Sequence, residues 1–296
     1  MHTERANAKI NIYLNIQSRR EDGYHNIVSV MQTVSLCDLV TVDFQPAPQS
    51  RITLSVSGNS ELPVDCRNLA WRAAERFMLY THLMGVVQIM VQKHIPAAAG
   101  LAGGSADAAA VLRALNRLCG NPLTTEELCK IGLELGADVP FCICGGAMLV
   151  TGIGEELQRA PDMPPCTLVI AMGNEGISTP QAYAALDEKY AFFQQPYPKN
   201  TDVQELMDLW QKGDLAASCI SFSNIFESVI SNQNAEVDDI KLIMRTSGAM
   251  RSLMSGSGPA VFGVFDNQGE AERACSHLQE KGYRAFVCHP TKQYIG

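Results

Sequence analysis

Two domains that mix strands with helices are what the sequence predicts, and three observations carry the expectation. The first stretch of chain alternates apolar and polar residues in several short runs, the period of strands. Helical spacing dominates much of the later chain. Between them lies Ala160-Pro161-Asp162-Met163-Pro164-Pro165, which fits neither a helix interior nor a central strand and divides the chain into 1–160 and 161–296. With 296 residues, 46% of them hydrophobic, the chain is long enough to bury a core in each half.

The elements come in order. Ile10, Ile12, Leu14 and Ile16 share one face of a first strand, and Lys9, Asn11, Tyr13 and Asn15 share the other, which reads as a half-buried strand. Similar alternation marks strands at Val28–Leu36, Val40–Phe44 and Ile52–Val56. Leu69, Ala73, Phe77 and Tyr80 recur on one face of a helix after Asn68, and Val86–Val91 reads as another strand. Ser105–Leu118, rich in Ala and Leu, predicts a helix. Thr124 with Glu127 forms a capping box for a helix that Gly136 ends as its C′ residue. Beyond the proline-rich stretch come a strand at Leu168–Met172, a helix starting at Thr179-Pro180, further helices to about Arg245, a strand at Val261–Phe265, a helix from Gly269 and a strand near Phe286.

Composition excludes several classes. Net charge is −8 and the cations do not cluster, so the basic footprint of a nucleic-acid binder is missing. No apolar run reaches the length of a membrane span and no signal segment opens the chain, which points to a cytoplasmic address. The ten cysteines are scattered singly and read as reduced core thiols; Cys142 and Cys144, the closest pair, have no second cluster to complete a zinc site.

Four segments carry possible chemistry. Pro96-Ala97-Ala98-Ala99-Gly100-Leu101-Ala102-Gly103-Gly104-Ser105 joins a strand to a helix; its small residues let backbone approach a ligand, and the amides at the helix start face an anion such as polyphosphate. It lacks the Lys of the Walker loop, and it also reads as a tight turn. Ser255-Gly256-Ser257-Gly258-Pro259 is a second glycine-rich turn that could press against the first and complete a pocket. Lys9 and Asn11 point the same way from the first strand, although an isolated strand Lys is usually just solvated, and Asp138 could simply cap a short helix. Asp22-Gly23-Tyr24-His25 is a turn whose rings could also hold a flat heterocycle.

Taken in order, Ala8-Lys9-Ile10-Asn11, the glycine loop and Ser255-Gly256-Ser257-Gly258-Pro259 resemble the GHMP kinase superfamily over nearly the whole chain. The resemblance implies an α+β fold: an N-terminal domain like ribosomal protein S5 domain 2, packed on a ferredoxin-like C-terminal domain. It implies ATP-dependent phosphorylation of an alcohol with Mg²⁺. Asp22–His25, Pro96–Asp107 and Leu135–Pro140 point within the superfamily to a cytidine diphosphate-linked methylerythritol as substrate, in non-mevalonate isoprenoid synthesis. Asp138 would then take the hydroxyl proton, and Lys9 would hold that carboxylate ionised. Pro96 to Ser105 would cradle ATP, Asn68 would approach its base, and Ser105 is a candidate for the metal. Tyr24 and His25 would bind cytosine with Tyr183 stacked opposite, while Asn11 and Thr179 reach the rest of the substrate.

Asn7 stands where relatives carry Pro, and Ala97, Ala98, Ala99 and Ala102 stand at loop positions that are Gly in some relatives, which stiffens the loop. Two other readings stay open: a GHMP kinase for a mevalonate- or homoserine-type alcohol, and a nucleotide-binding regulator without catalysis. The chain would work as a monomer or homodimer.

Overall fold

The computed structural model describes residues 1–174, 176–192, 203–230 and 234–294. Two sheets organise it. The first has seven strands, six of which are β1 (His2–Arg19), β2 (His25–Pro46), β3 (Arg51–Ser57), β4 (Gly85–Gln92), β5 (Ala147–Thr151) and β6 (Glu156–Arg159). The second contains β7 (Thr167–Met172) and three later strands. Helices of the first part are α1 (Leu69–Thr81), α2 (Gly103–Leu118), α3 (Thr125–Leu135) and α4 (Val139–Cys144). Next come α5 (Thr179–Phe192), α6 (Val203–Gln211), α7 (Leu215–Ser218), the short β8 (Ser223–Asn224), α8 (Glu227–Ile230) and α9 (Ala235–Thr246). The chain then runs through β9 (Arg251–Met254), β10 (Val261–Phe265), α10 (Gln268–Glu280) and β11 (Arg284–Cys288).

The strands expected separately at 28–36 and 40–44 are one strand, β2. Its intervening Cys37-Asp38-Leu39 carries no turn former of the Gly or Pro kind, so pairing with β1 continues through it. The length of β2 lets one edge serve two partners, β5 beside Ser29–Gln32 and β4 beside Leu39–Pro46. The spatial order is β3-β4-β2-β1-β8, and β8 adds parallel to β1 from far along the chain. The second sheet runs β11-β7-β10-β9 with every neighbour antiparallel.

β1 departs from the half-buried expectation. Ile10 and Ile12 on its apolar face are at 0% exposure, yet Lys9 and Asn11 on the polar face are only 4% and 1% exposed; a register shift between Asn11 and Tyr13 then ends the alternation, so Leu14 lines the cleft with Lys9 and Asn11 while Tyr13 packs in the core. The polar face is covered by the turn at 255–258, while β8 extends the sheet along the edge of β1. Burying a lysine and an asparagine requires partners for both, which makes this face polar machinery rather than solvated surface.

Helix α2 explains its own composition. Ala106, Ala108, Ala109, Ala110 and Ala114 are all buried, and side chains this small let the helix press against β1, β2, α1 and α4 together. In α1 the buried stripe is Ala70, Ala73, Ala74, Phe77 and Met78; Tyr80 lies off it and is exposed. The capping box of Thr124 and Glu127 forms on α3. Gly136 does not serve as a left-handed C′ residue, because its backbone is extended with φ 172. α9 and α10 cover the second sheet. Among the described residues no helix is long and apolar enough to cross a membrane.

Candidate active site

A cleft of about 590 Å³ opens beside the first sheet, closed on its other side by α5 and the turn after β9. Its walls include Lys9 and Asn11 from β1, Asn68 before α1, the whole run 96–105, Asp138, Thr179 and Tyr183 from α5, and Gly256 and Ser257. Residues that lie far apart in sequence therefore share one space, as their chemistry suggested.

The glycine loop is held by backbone. The Lys9 amide donates to the Leu101 carbonyl at 3.1 Å, and the Ala260 amide donates to the Ala99 carbonyl at 3.2 Å. Gly100 has φ 77, and a Cβ there would lie 2.2 Å from the Ser255 carbonyl oxygen, so the two glycine-rich turns touch where no side chain fits. Ala98 and Ala102 adopt φ 52 and 56, a left-handed conformation costing about 1–2 kcal/mol for a residue with a Cβ. Ala102 is the N-cap of α2 and offers no side-chain cap, which leaves the first amides of the helix to face the cleft. Such an uncapped N-terminus attracts phosphate. The same φ at both alanines shows that the loop tolerates them as strained positions.

Lys9 and Asp138 converge beside that loop. Lys9 Nζ donates to Asn11 Oδ1 at 2.7 Å and stands 3.9 Å from Asp138 Oδ2. Asn11 is itself fixed: its Nδ2 donates to Ser29 Oγ at 2.8 Å, and that hydroxyl donates on to the Tyr13 carbonyl at 2.6 Å. The Asn11 amide donates to Ser255 Oγ at 3.3 Å, which donates to the Gly100 carbonyl at 3.1 Å. Asp138 occupies the N-cap of α4 yet makes no side-chain capping bond, so the capping alternative does not consume its carboxylate. A buried cation held by one fixed amide places positive charge beside the loop, where phosphate would sit.

Asn68 is more committed than expected. Its Oδ1 accepts from the Ala70 amide at 3.0 Å and its Nδ2 donates to the Pro63 carbonyl at 2.8 Å, so it fixes the start of α1 while facing the cleft. Thr179 Oγ1 and Ser257 Oγ lie 2.8 Å apart and join α5 to the second turn. Ser105 is half-buried on the first turn of α2.

At the other end Tyr183 lines the cleft, whereas Tyr24 and His25 do not: His25 lies buried against Tyr183, with ring centroids 4.8 Å apart, tilted by 30°. Tyr183 also meets Phe226 edge-on at 4.8 Å, and burial together with the charge of Asp138 pushes its hydroxyl up to about 12. Tyr24 stands 61% exposed in the turn Asp22–His25, where the Asp22 carboxylate accepts the Tyr24 amide at 3.1 Å. Ser255 and Gly258 lie behind the wall and shape the turn from within.

Two groups escaped sequence reasoning. Asp187 on α5 accepts from His25 Nε2 at 2.8 Å, over a separation of 162 residues, and also pairs with Arg19. A buried cluster joins Lys93 to Asp38 and to Asp107, the latter at 2.7 Å, directly beneath the glycine loop. Asp38 also accepts the His94 and Ile95 amides at 2.5 and 2.8 Å, which anchors the exit of β4. One ammonium cannot neutralise two buried carboxylates. Burial, with the charge of Asp38 adding and Lys93 only partly opposing, pushes the Asp107 carboxyl up to about 7. The signal available for this cluster was Lys93 and Asp107 flanking the loop; nothing local pointed to Asp38.

Known proteins agree with this architecture. The pattern of the GHMP kinases N terminal domain matches residues 68–146, and that of the GHMP kinases C terminal region matches 203–284. A 4-diphosphocytidyl-2-C-methyl-D-erythritol kinase of Exiguobacterium sibiricum is 40% identical over 275 residues, 93% of each chain. One from Caldicellulosiruptor saccharolyticus is 39% identical over 93% of this chain and 92% of its own. A crystal structure of 4-(cytidine 5'-diphospho)-2C-methyl-D-erythritol kinase superposes with a TM-score of 0.81 at 30% identity, covering 98% of this chain and 99% of that one. A homoserine kinase from Cytophaga hutchinsonii, 19% identical with a TM-score of 0.72 over 97% of this chain and 95% of its own, shares the fold. Fold and site together define a small-molecule kinase of the GHMP superfamily, and within it the chain belongs to the 4-diphosphocytidyl-2-C-methyl-D-erythritol kinase family.

Proposed function

We propose that the chain transfers the γ-phosphoryl group of ATP to the 2-hydroxyl of 4-diphosphocytidyl-2-C-methyl-D-erythritol, giving the 2-phosphate and ADP, a step of non-mevalonate isoprenoid synthesis. One observation carries the mechanism: Lys9 Nζ, held by Asn11, lies 3.9 Å from Asp138 Oδ2 beside the glycine loop. Asp138 accepts the hydroxyl proton as the oxygen forms its bond to the γ-phosphorus and the bond to the ADP oxygen breaks. Lys9 keeps that carboxylate ionised and offsets charge on the transferring group.

The Gly100–Ser105 amides bind the polyphosphate, and Asn68 sits at the nucleotide side of the cleft. Among the described residues no three His, Cys, Asp or Glu side chains gather as a metal site. Ser105, on the first turn of α2, would hold Mg²⁺, which would supply charge neutralisation at the nucleotide phosphates. His25 and Tyr183 take the cytosine, Tyr24 closes over it from the turn, and Asn11 and Thr179 hold the methylerythritol. Residues 1–160 serve as the ATP-binding domain and 161–296 as the domain completing the substrate side.

The test is ADP release from ATP and Mg²⁺ against 4-diphosphocytidyl-2-C-methyl-D-erythritol, mevalonate, homoserine and galactose. Turnover confined to the first is expected; turnover only on another member would discard the cytidine pocket.

A further inference from the structure

The cysteines looked scattered in sequence, and the pair closest along the chain, Cys142 and Cys144, is not the pair whose sulfurs meet. Cys129 on α3 and Cys144 at the end of α4 bring their sulfurs to 3.7 Å. Both are half-buried, whereas Cys142 is buried. A small oxidant therefore reaches the first two more readily.

From this geometry we infer that Cys129 and Cys144 are a redox modification site, closing to a disulfide under hydrogen peroxide and reopening with a thiol reductant. Hydrogen bonding from Cys129, with Arg113 adding, holds the Cys144 thiol below its ordinary value, while the same contact raises that of Cys129. Cys144 is thus the sulfur that reacts first, since the thiolate is the nucleophile. Its thiolate attacks one peroxide oxygen, the O–O bond breaks, and hydroxide leaves to become water; Cys144 is then a sulfenic acid. Cys129 attacks that sulfur, the S–O bond breaks, and the second oxygen leaves as water. The two thiols lose two protons and two electrons, and one peroxide becomes two waters.

Closure must bring the sulfurs from 3.7 Å to about 2.05 Å. Beyond Cys144 the chain is held, with the Cys144 carbonyl accepting from the Tyr294 amide at 3.1 Å and the Gly146 carbonyl from the Thr33 amide at 2.9 Å, so closure acts on α4 itself. α4 is a single rigid turn and a half of six residues, with Asp138 at its N-cap. Pulling its far end toward α3 therefore displaces Asp138 relative to Lys9. Misplacement of a reacting group by about 1 Å costs on the order of 100-fold, so oxidised protein should turn over roughly 10- to 100-fold more slowly.

The experiment treats the full chain with hydrogen peroxide, then measures both digested peptides by mass spectrometry and ADP release before and after reduction. We expect a cross-linked peptide pair containing Cys129 and Cys144, lighter by two hydrogens, and a loss of turnover that dithiothreitol restores. Cys129→Ser and Cys144→Ser should each keep basal turnover and lose the reversible response. The cross-link is read without any substrate, so its absence overturns the inference whatever the fate of the kinase reading on which the turnover effect rests. Oxidation of Cys144 to sulfinic acid without a cross-link would overturn it, as would a reversible loss of turnover under peroxide that persists in both serine variants. A cross-link that leaves turnover unchanged would overturn the coupling through α4.

Discussion

At the glycine-loop end of the cleft, the groups facing the ligand space are fixed by backbone or by a buried network, whereas at the aromatic end they are side chains resting on one another. Leu101 and Ala99 are tied to Lys9 and Ala260 through main-chain bonds, and Asn11 is locked through Ser29 and Ser255. His25 and Tyr183 touch each other 4.8 Å apart, and Tyr24 is 61% exposed. Under the proposed function the base would enter where these rings part, so the aromatic end would rearrange while the loop end is already fixed. Rigid groups suit charge that develops during phosphoryl transfer, and adaptable rings suit recognition. The difference predicts that changes at the loop end damage turnover or folding, and changes at the aromatic end damage substrate affinity.

The largest effect tests the rigid end. Asp138→Asn should lower kcat by on the order of 10²- to 10⁴-fold, the range of a lost general base, with ATP binding little changed in a calorimetric titration. Retained turnover would remove the general-base role. Gly100→Ala comes next, since the new Cβ meets the Ser255 carbonyl at 2.2 Å in a left-handed backbone. The conformation alone costs about 1–2 kcal/mol, and the clash forces the two turns apart, so both the denaturation midpoint and ATP affinity should fall. An unchanged midpoint would mean that the turns are not pressed together in solution.

The same contrast explains what was legible in the sequence. The loop end is written in local residue types: glycine and alanine between a strand and a helix, a lysine two positions from an asparagine, and an aspartate just past a helix end. These are positions where backbone needs dictate the residue, so 96–105, Lys9 and Asp138 all reach the cleft as expected. Burial of the polar face of β1 was not readable, because its cover comes from the 255–258 turn, more than two hundred residues away. Asp187 looked like any surface helix carboxylate until α5 brought it to His25. Asp38 lacked any local mark because a single strand runs through a segment that alternation alone divides in two.

Smaller effects probe the adaptable end and the loop's foundation. In Asp187→Ala, His25 loses the 2.8 Å partner of its Nε2. We expect KM for the cytidine substrate to rise about 5- to 10-fold, the worth of one ordinary hydrogen bond of about 1–1.4 kcal/mol, with kcat within about twofold. A fall in kcat at unchanged KM would place Asp187 at the rigid end instead and blur the division.

The smallest effect concerns Asp107, whose carboxyl is raised from 3.8 to about 7 in the fold. A folded pKa above the unfolded one means the folded chain binds the extra proton between those values, so stability declines as pH rises from about 4 to 7. Asp107→Asn removes that titration and leaves Lys93 paired with Asp38 alone. Urea midpoints for the variant should therefore vary less than the wild type's across that window, and near pH 7 the variant should match or exceed the wild type, within about 1 kcal/mol. A pH slope identical in both proteins would show that the loop rests on a fully ionised cluster, and would place the burden of the unbalanced charge on the nucleotide side of the cleft.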